Sequence, residues 1–372
     1  MKQSFAVVGN WARDGREKGI SLYAWRSGNY QLEKIRSADP QVCAGALLAD
    51  EQRSLLYVAD EVEDPKGGGG HIRIYRIGRE TGMPELLQSC ASLYAKPDNL
   101  RMTKDKKFLF AVHHGTRARI TKVKCGRDGE IRSLSEHGDN GTTMFRLNSD
   151  GLIEGVCDVA PSGNDSDVPS IMHSFELDPS ERIAVAMDIE RDVISLYRID
   201  KIRGKMIPAG KMEDVKGHAP RYGVFHPELP LYYKNNEQHL TLDSYTYDAE
   251  KAVLNPLQTI SYLAKEEGKH IKYEVSDLIL SPDNANLYVS VRASNEIVRF
   301  SLDKQGHMTE RETVSSEGDS PRGLCISPDG SYLYVMHDVS KNIVCKEITA
   351  DGTLKETGYQ VSDNCPGVMV FL

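Results

Sequence analysis

Four things are missing from this chain, and each absence removes a class of protein. The seven cysteines (Cys43, Cys90, Cys125, Cys157, Cys325, Cys345, Cys365) are odd in number and scattered, with no CxxC pair. That spacing argues against a disulfide framework and a thiolate metal site, and it favours a reducing cytoplasm. No long apolar run occurs. The opening MKQSFAVVGNWARDG reaches turn residues after only a short apolar stretch, too short for a signal-peptide core or a membrane span. There is no basic excess either: the formal charge is -8, which argues against general nucleic-acid binding and leaves small molecules as the expected partners. Lastly, no segment sustains the 3.6-residue periodicity of an amphipathic helix.

Familiar catalytic signatures are also absent. The glycine-rich PKGGGGHIR at 65–73 lacks the GK[ST] ending and following helix of a phosphate-binding loop, so it reads as a blade loop. There is no GxSxG elbow and no cysteine with an evident histidine partner. His113 and His114 are neighbours, and a strand turns neighbours to opposite faces, so only one of them can reach a common site. No Asp, Glu and His trio has ligand spacing, and no metal or cofactor is expected.

What the chain does contain is repetition. With 372 residues and 40% hydrophobic content it has enough material for one large β domain or for two or three smaller ones. Seven period-2 hairpins recur, among them ISLYAWRSGNYQLEKI, MFRLNSDGLIEGVC and IVRFSLDKQGHMTER. Ahead of most lies a second hairpin with a polar turn and an apolar burst, as in LADEQRSLLYVAD, MTKDKKFLFAVHH, LDPSERIAVAM, FHPELPLYYKN, LSPDNANLYVS and ISPDGSYLYVM. Two hairpins per repeat make four strands, recurring at roughly 46 to 74 residues, the pattern of β-propeller blades. Six units are complete. The seventh is expected to be shared, with the C-terminal PGVMVFL docking beside SFAVVG to close the ring. The expected fold is thus all-β, one seven-bladed propeller over 1–372, with an inserted hairpin at about 116–140.

Repeat register then selects candidate site residues. Counted from the proline position of each first turn, the start of the innermost strand carries Ala44, Asp98, His173, Arg221, Ser276 and Arg322, with Gly367 from the C-terminal strand. The end of the second strand carries Asp60, His114, Ile189, Glu237, Arg292 and Asp338. Both positions lie at the same end of an antiparallel hairpin, so a closed propeller sets them as two concentric rings at one channel mouth. Any single charge there is more often a solvated rim residue, but their convergence suits a pocket for a polar, anionic ligand.

The segments PSIMHSFELDPSERIAVA, GHAPRYGVFHPELPLYYKNNE, LILSPDNANLYVSVRASNEIVRFSLD and DSPRGLCISPDGSYLYV resemble the seven-bladed lactonase propellers. These are the bacterial 6-phosphogluconolactonases of the cycloisomerase-2 type and the related fungal carboxy-muconate lactonising enzyme. The resemblance implies His173, Arg221, Glu237 and Arg292 as the reactive set. Members active on sugar phosphates carry PHAHS, GPRH and AEIH, where this chain has SIMHS, APRY and SDLI, so Ile171, Tyr222, Asp277 and Ile279 mark departures. The implied activity is hydrolysis of a small sugar-derived or acidic lactone by general acid–base catalysis, with His173 as acid or base, Glu237 in support and the two arginines on the oxyanion or a substrate carboxylate. Arg322, Asp98, His114, Tyr222, Asp277 and Asp338 are the expected substrate-binding residues. Lactone formation by a cycloisomerase, and a propeller that only binds a ligand or protein, are the competing readings.

Overall fold

The computed structural model describes residues 4–11, 18–62, 69–127, 129–163, 167–262 and 274–372. Seven four-stranded antiparallel sheets follow one another along the chain. We number them by blade: blade 1 spans Ala44–Ala91, blade 2 Pro97–Pro161, blade 3 Met172–Glu213, blade 4 Pro220–Ser261, blade 5 Val275–Ser315 and blade 6 Pro321–Ser362. Blade 7 joins the C-terminal strand Pro366–Phe371 to the N-terminal strands Ser4–Asn10, Gly19–Trp25 and Glu33–Ala38. The closing pair is antiparallel, with Ala6 opposite Phe371 and Gly9 opposite Val368. Blade 2 holds an additional two-stranded hairpin, Arg119–Cys125 paired with Ile131–His137, inside the expected insertion. Of the glycine-rich stretch, 65–68 lie outside the described residues, and His71 opens the third strand of blade 1, His71–Ile77.

Burial explains the sequence pattern strand by strand. The second strands LLYVAD, FLFAVH, IAVAMD and NLYVSV are buried along their whole length because sheets cover both of their faces. The fourth strands, such as KMIPAGKME, are largely exposed. Between blades the core is apolar: Phe110 of blade 2 stacks on Phe175 of blade 3 at 4.8 Å, and Tyr334 of blade 6 meets Phe371 of blade 7 at 5.9 Å. Every innermost strand begins at the same channel mouth, where the candidate residues gather.

Candidate functional site

A bulge recurs at the mouth of each blade. The first strand slips register against the second at its second residue, as between Pro97 and Asn99, Met172 and Ser174, or Pro321 and Gly323. In blades 4 and 5 the irregular stretch is one residue longer, from Pro220 to Gly223 and from Val275 to Leu278. A bulge leaves its extra residue out of the ladder and re-aims the side chain. Here it takes Asp98, His173, Arg221, Ser276 and Arg322 out of regular pairing.

A second repeated device fixes the outer ring. The backbone N–H of the residue after each second strand donates to the carbonyl two residues before the bulge: Trp11 to Cys365 at 2.8 Å, Glu61 to Cys43 at 2.7 Å and His114 to Lys96 at 2.8 Å. Ile189 to Ile171 at 2.8 Å, Glu237 to Ala219 at 2.9 Å, Arg292 to Glu274 at 2.9 Å and Asp338 to Ser320 at 3.3 Å complete the circle. Blade 1 corrects the sequence register. Its bulge lies at Gly45 and its outer residue is Glu61, one position beyond the expected Ala44 and Asp60. Its first turn has Glu51 where the other blades have proline or Lys104, so the sequence offers nothing there to fix the count. Asp60 instead accepts the Cys43 amide at 2.9 Å and pairs with Arg73.

These rings enclose a cleft of about 670 Å³ lined by, among others, Trp11, Glu61, His114, His173, Arg221 and Glu237. Arg292, Arg322 and Arg117 also line it. His173 lines the cleft and meets the buried Asp98 beneath it, with Nδ1 2.6 Å from Oδ2. Burial, then Arg221 and His114, hold the imidazole well below its ordinary value. Burial, then the neighbouring Glu61, push the Asp98 carboxyl well above its own, against the pull of Arg221 and Arg322. At this separation the two titrate as a unit. His114 stands edge-on to His173, ring centroids 5.0 Å apart, while His113 is buried with Nδ1 2.9 Å from the Gly141 carbonyl.

Glu237 faces two arginines. Its Oε2 lies 2.8 Å from Arg221 Nε and its Oε1 3.3 Å from Arg292 Nη2, so it bridges two guanidinium groups that would otherwise repel. Asp98, not Glu237, lies against the His173 ring nitrogen. Arg221 also donates to the Ser276 carbonyl at 2.8 Å and stacks on Tyr222. Burial, then Arg221, lower Arg292 to about 10.

Four expected substrate contacts lie elsewhere, and one of them, Asp98, lines the central channel below the cleft while its carboxylate meets His173. Tyr222 and Asp277 line the central channel below the cleft. Asp277 accepts the amides of Leu278 and Leu324, both at 2.8 Å, which commits its carboxylate to joining blades 5 and 6. Asp338 occupies its register position but is not among the residues lining the cleft. Sequence reasoning missed Trp11, Glu61, Glu274, Gln238, Glu190 and Arg117 as cleft residues. Trp11 and Glu61 were recoverable by carrying the outer-ring count into blade 7 and through blade 1. Among the described residues one group has metal-ligand spacing, Asp214, His218 and Asp243. The buried Lys234 ammonium fills it, 2.5 Å from Asp214 and 2.8 Å from Asp243.

Fold and cleft together define a seven-bladed propeller with a buried His–Asp pair and an arginine cluster at one mouth. The chain belongs to the seven-bladed β-propeller lactonase family, whose sequence profile matches residues 5–371. It is 24% identical over 348 residues to a 6-phosphogluconolactonase of Formosa agariphila, covering 91% of this chain and 90% of that protein. The periplasmic gluconolactonase of Pseudomonas aeruginosa superposes with a TM-score of 0.82 at 20% identity, over 100% of this chain and 99% of the other. A chain of the mitotic checkpoint complex also superposes, with a TM-score of 0.58 and 12% identity over 90% of this chain and 92% of that one, so the fold by itself carries no activity.

Proposed function

We propose that the protein hydrolyses a small sugar-derived or acidic lactone in this cleft. The observation that carries the reading is the Asp98–His173 contact of 2.6 Å on a cleft that also holds the Arg221–Glu237–Arg292 bridge. Ionised Asp98 accepts the Nδ1 proton and leaves the other ring nitrogen to take a proton from water. The resulting hydroxide oxygen bonds to the lactone carbonyl carbon. The carbonyl oxygen becomes an oxyanion held by arginine N–H groups, whose positive charge is already in place. Collapse of this intermediate breaks the ring C–O bond, and the proton held by the pair passes to the departing alkoxide. The product is the open hydroxy acid, and its carboxyl proton goes to solvent. No step requires a metal or cofactor.

The same groups run lactonisation in reverse, so direction depends on the substrate supplied. The test is proton release from a panel of aldonolactones, their phosphates and muconolactones, with His173→Gln as control. Turnover by the parent protein and its loss in the variant supports the reading; equal turnover in both removes His173 from it.

A further inference from the structure

Four arginines line the cleft, and three are spoken for. Arg117 pairs with Glu190 at 2.7 Å, Arg221 with Glu237 at 2.8 Å, and Arg292 with Glu237 and Glu274 at 3.3 and 3.4 Å. Among the described residues no carboxylate pairs with Arg322. Its guanidinium lies instead over the indole of Trp11, Cζ 3.9 Å from the ring centroid. That contact orients a cation and leaves its N–H edge outside any ion pair among the described residues, although its charge reaches Asp98.

The place is built for it. The bulge residue of blade 7 is Gly367, and a Cβ there would stand 3.1 Å from both Cδ and Nε of Arg322 and 3.3 Å from the Trp11 Cβ. A methyl group there would crowd the arginine arm and the indole stem, so Gly367 leaves the arm its present path to the indole. The Arg322 carbonyl is pinned by the Ser276 hydroxyl at 2.6 Å, which fixes the backbone below. Around the ring, Arg322 in blade 6 stands three blades from His173 in blade 3 by one path and four by the other, and both line the one cleft, so a ligand reacting at His173 can extend an anionic group toward it.

We propose that Arg322, held on Trp11 in the space left by Gly367, receives an anionic substituent of the lactone remote from the reacting ester. The substituent is a phosphate monoester or a carboxylate, and the site thereby prefers charged lactones over neutral ones. This rests on the lactonase reading for its kinetic arm only.

The kinetic arm compares matched lactones: glucono-1,5-lactone with its 6-phosphate, and glucono-1,4-lactone with glucaro-1,4-lactone, which carries a carboxylate at the same carbon. Arg322→Gln is expected to reduce the charged-over-neutral ratio of kcat/KM by about tenfold or more, the scale of a lost charge-assisted contact. Gly367→Ala should reduce it in the same direction, and rising salt should shrink it in the parent. A ratio unchanged by Arg322→Gln overturns the proposal; an effect confined to one pair supports it and names the anion. The binding arm needs no turnover. Calorimetric titration with inorganic phosphate at low salt should show affinity weakened about tenfold or more in Arg322→Gln, and equal affinity in parent and variant overturns the proposal. If no lactone is hydrolysed, the proposed activity falls while the phosphate titration still decides the role of Arg322.

Discussion

In the proposed reaction Asp98 and His173, 2.6 Å apart in surroundings that disfavour the charge of either, share one proton, so removing one partner disables the other. Asp98→Asn and His173→Gln are each expected to lower kcat by about two orders of magnitude or more, the usual contribution of a positioned proton-transfer group. The double variant should be little worse than either single one, because the pair acts as a unit. Steady-state kinetics on any lactone that is turned over checks both points, and additive losses would separate the two residues. The pH profile follows from the same geometry. The pair works as a base only after losing its extra proton, so kcat/KM falls on the acid side through the apparent pKa of the pair. Glu61 raises that pKa by placing a like charge near Asp98. Glu61→Gln removes the charge, lowers the pKa and moves the acid limb to lower pH; an upward shift would reverse the assignment. At Glu237 the expectation concerns stability as well as rate. Arg221 and Glu237 are both buried, and breaking a buried pair costs roughly 3–5 kcal/mol because it strands the remaining charge. Glu237→Gln should therefore lose melting temperature along with activity, unlike His173→Gln.

At the scale of strands and turns, the repeat was readable because each blade spells the same hairpins, and because four first turns carry a proline, Pro179, Pro227, Pro282 and Pro328, that anchors a count. From that count His173, Arg221, Glu237, Arg292 and Arg322 all reach the cleft lining. The count slipped in blade 1, where it displaced Glu61, and held in blade 2 although Lys104 stands there in place of the proline. The bulges had no sequence signature, since the bulged residues are as different as Gly45, Asp98, Arg221 and Ser276. Without them, adjacent residues such as Arg221 and Tyr222 could not be divided between the cleft and the channel below it. Side-chain pairing was also out of reach: register places Glu237 beside both His173 and Arg292, but only three-dimensional packing decides which it meets. The turns show a tie between blades that sequence alone did not suggest. The hydroxyls of Tyr57, Tyr233 and Tyr288 donate to the carbonyls of Gly151, Gly306 and Gly352 in the next blade at 2.7, 2.6 and 2.7 Å. Those glycines have φ of 82°, 78° and 82°, so the turn that presents each carbonyl needs a residue without a Cβ. Tyr288 is fully buried, and Tyr288→Phe leaves the Gly352 carbonyl without this donor. A loss of about 1–2 kcal/mol in urea denaturation is expected, with kinetics unchanged because the tie lies away from the cleft.

For the whole molecule the decisive contact is the one that joins its ends. Six blades are formed from contiguous chain, but blade 7 exists only when Pro366–Phe371 lies against Ser4–Asn10. The closing strand also packs between the innermost strands of blades 6 and 1, and it carries Gly367 into the inner ring. Its side chains continue the apolar seams on both sides: Met369 is buried with Tyr334 and Met336, while Val368 and Val370 pack with Val7 and Val58. Deleting Pro366–Leu372 would unpair the edge of Ser4–Asn10 and expose those seams together. With roughly 1.5–3 kcal/mol for each large apolar side chain fully buried, the loss is on the order of 5 kcal/mol, comparable with the whole stability margin of a typical domain. Exposed strand edges add a route to aggregation. The truncated protein is therefore expected to be insoluble, or to melt far below the parent without a single cooperative transition in calorimetry. Substitution within the strand separates packing from pairing. Met369→Ala, which keeps every backbone hydrogen bond, should cost about 2–5 kcal/mol and leave a cooperative transition in place. A truncated chain that stays soluble and melts with the parent would mean that the ring does not depend on this closure.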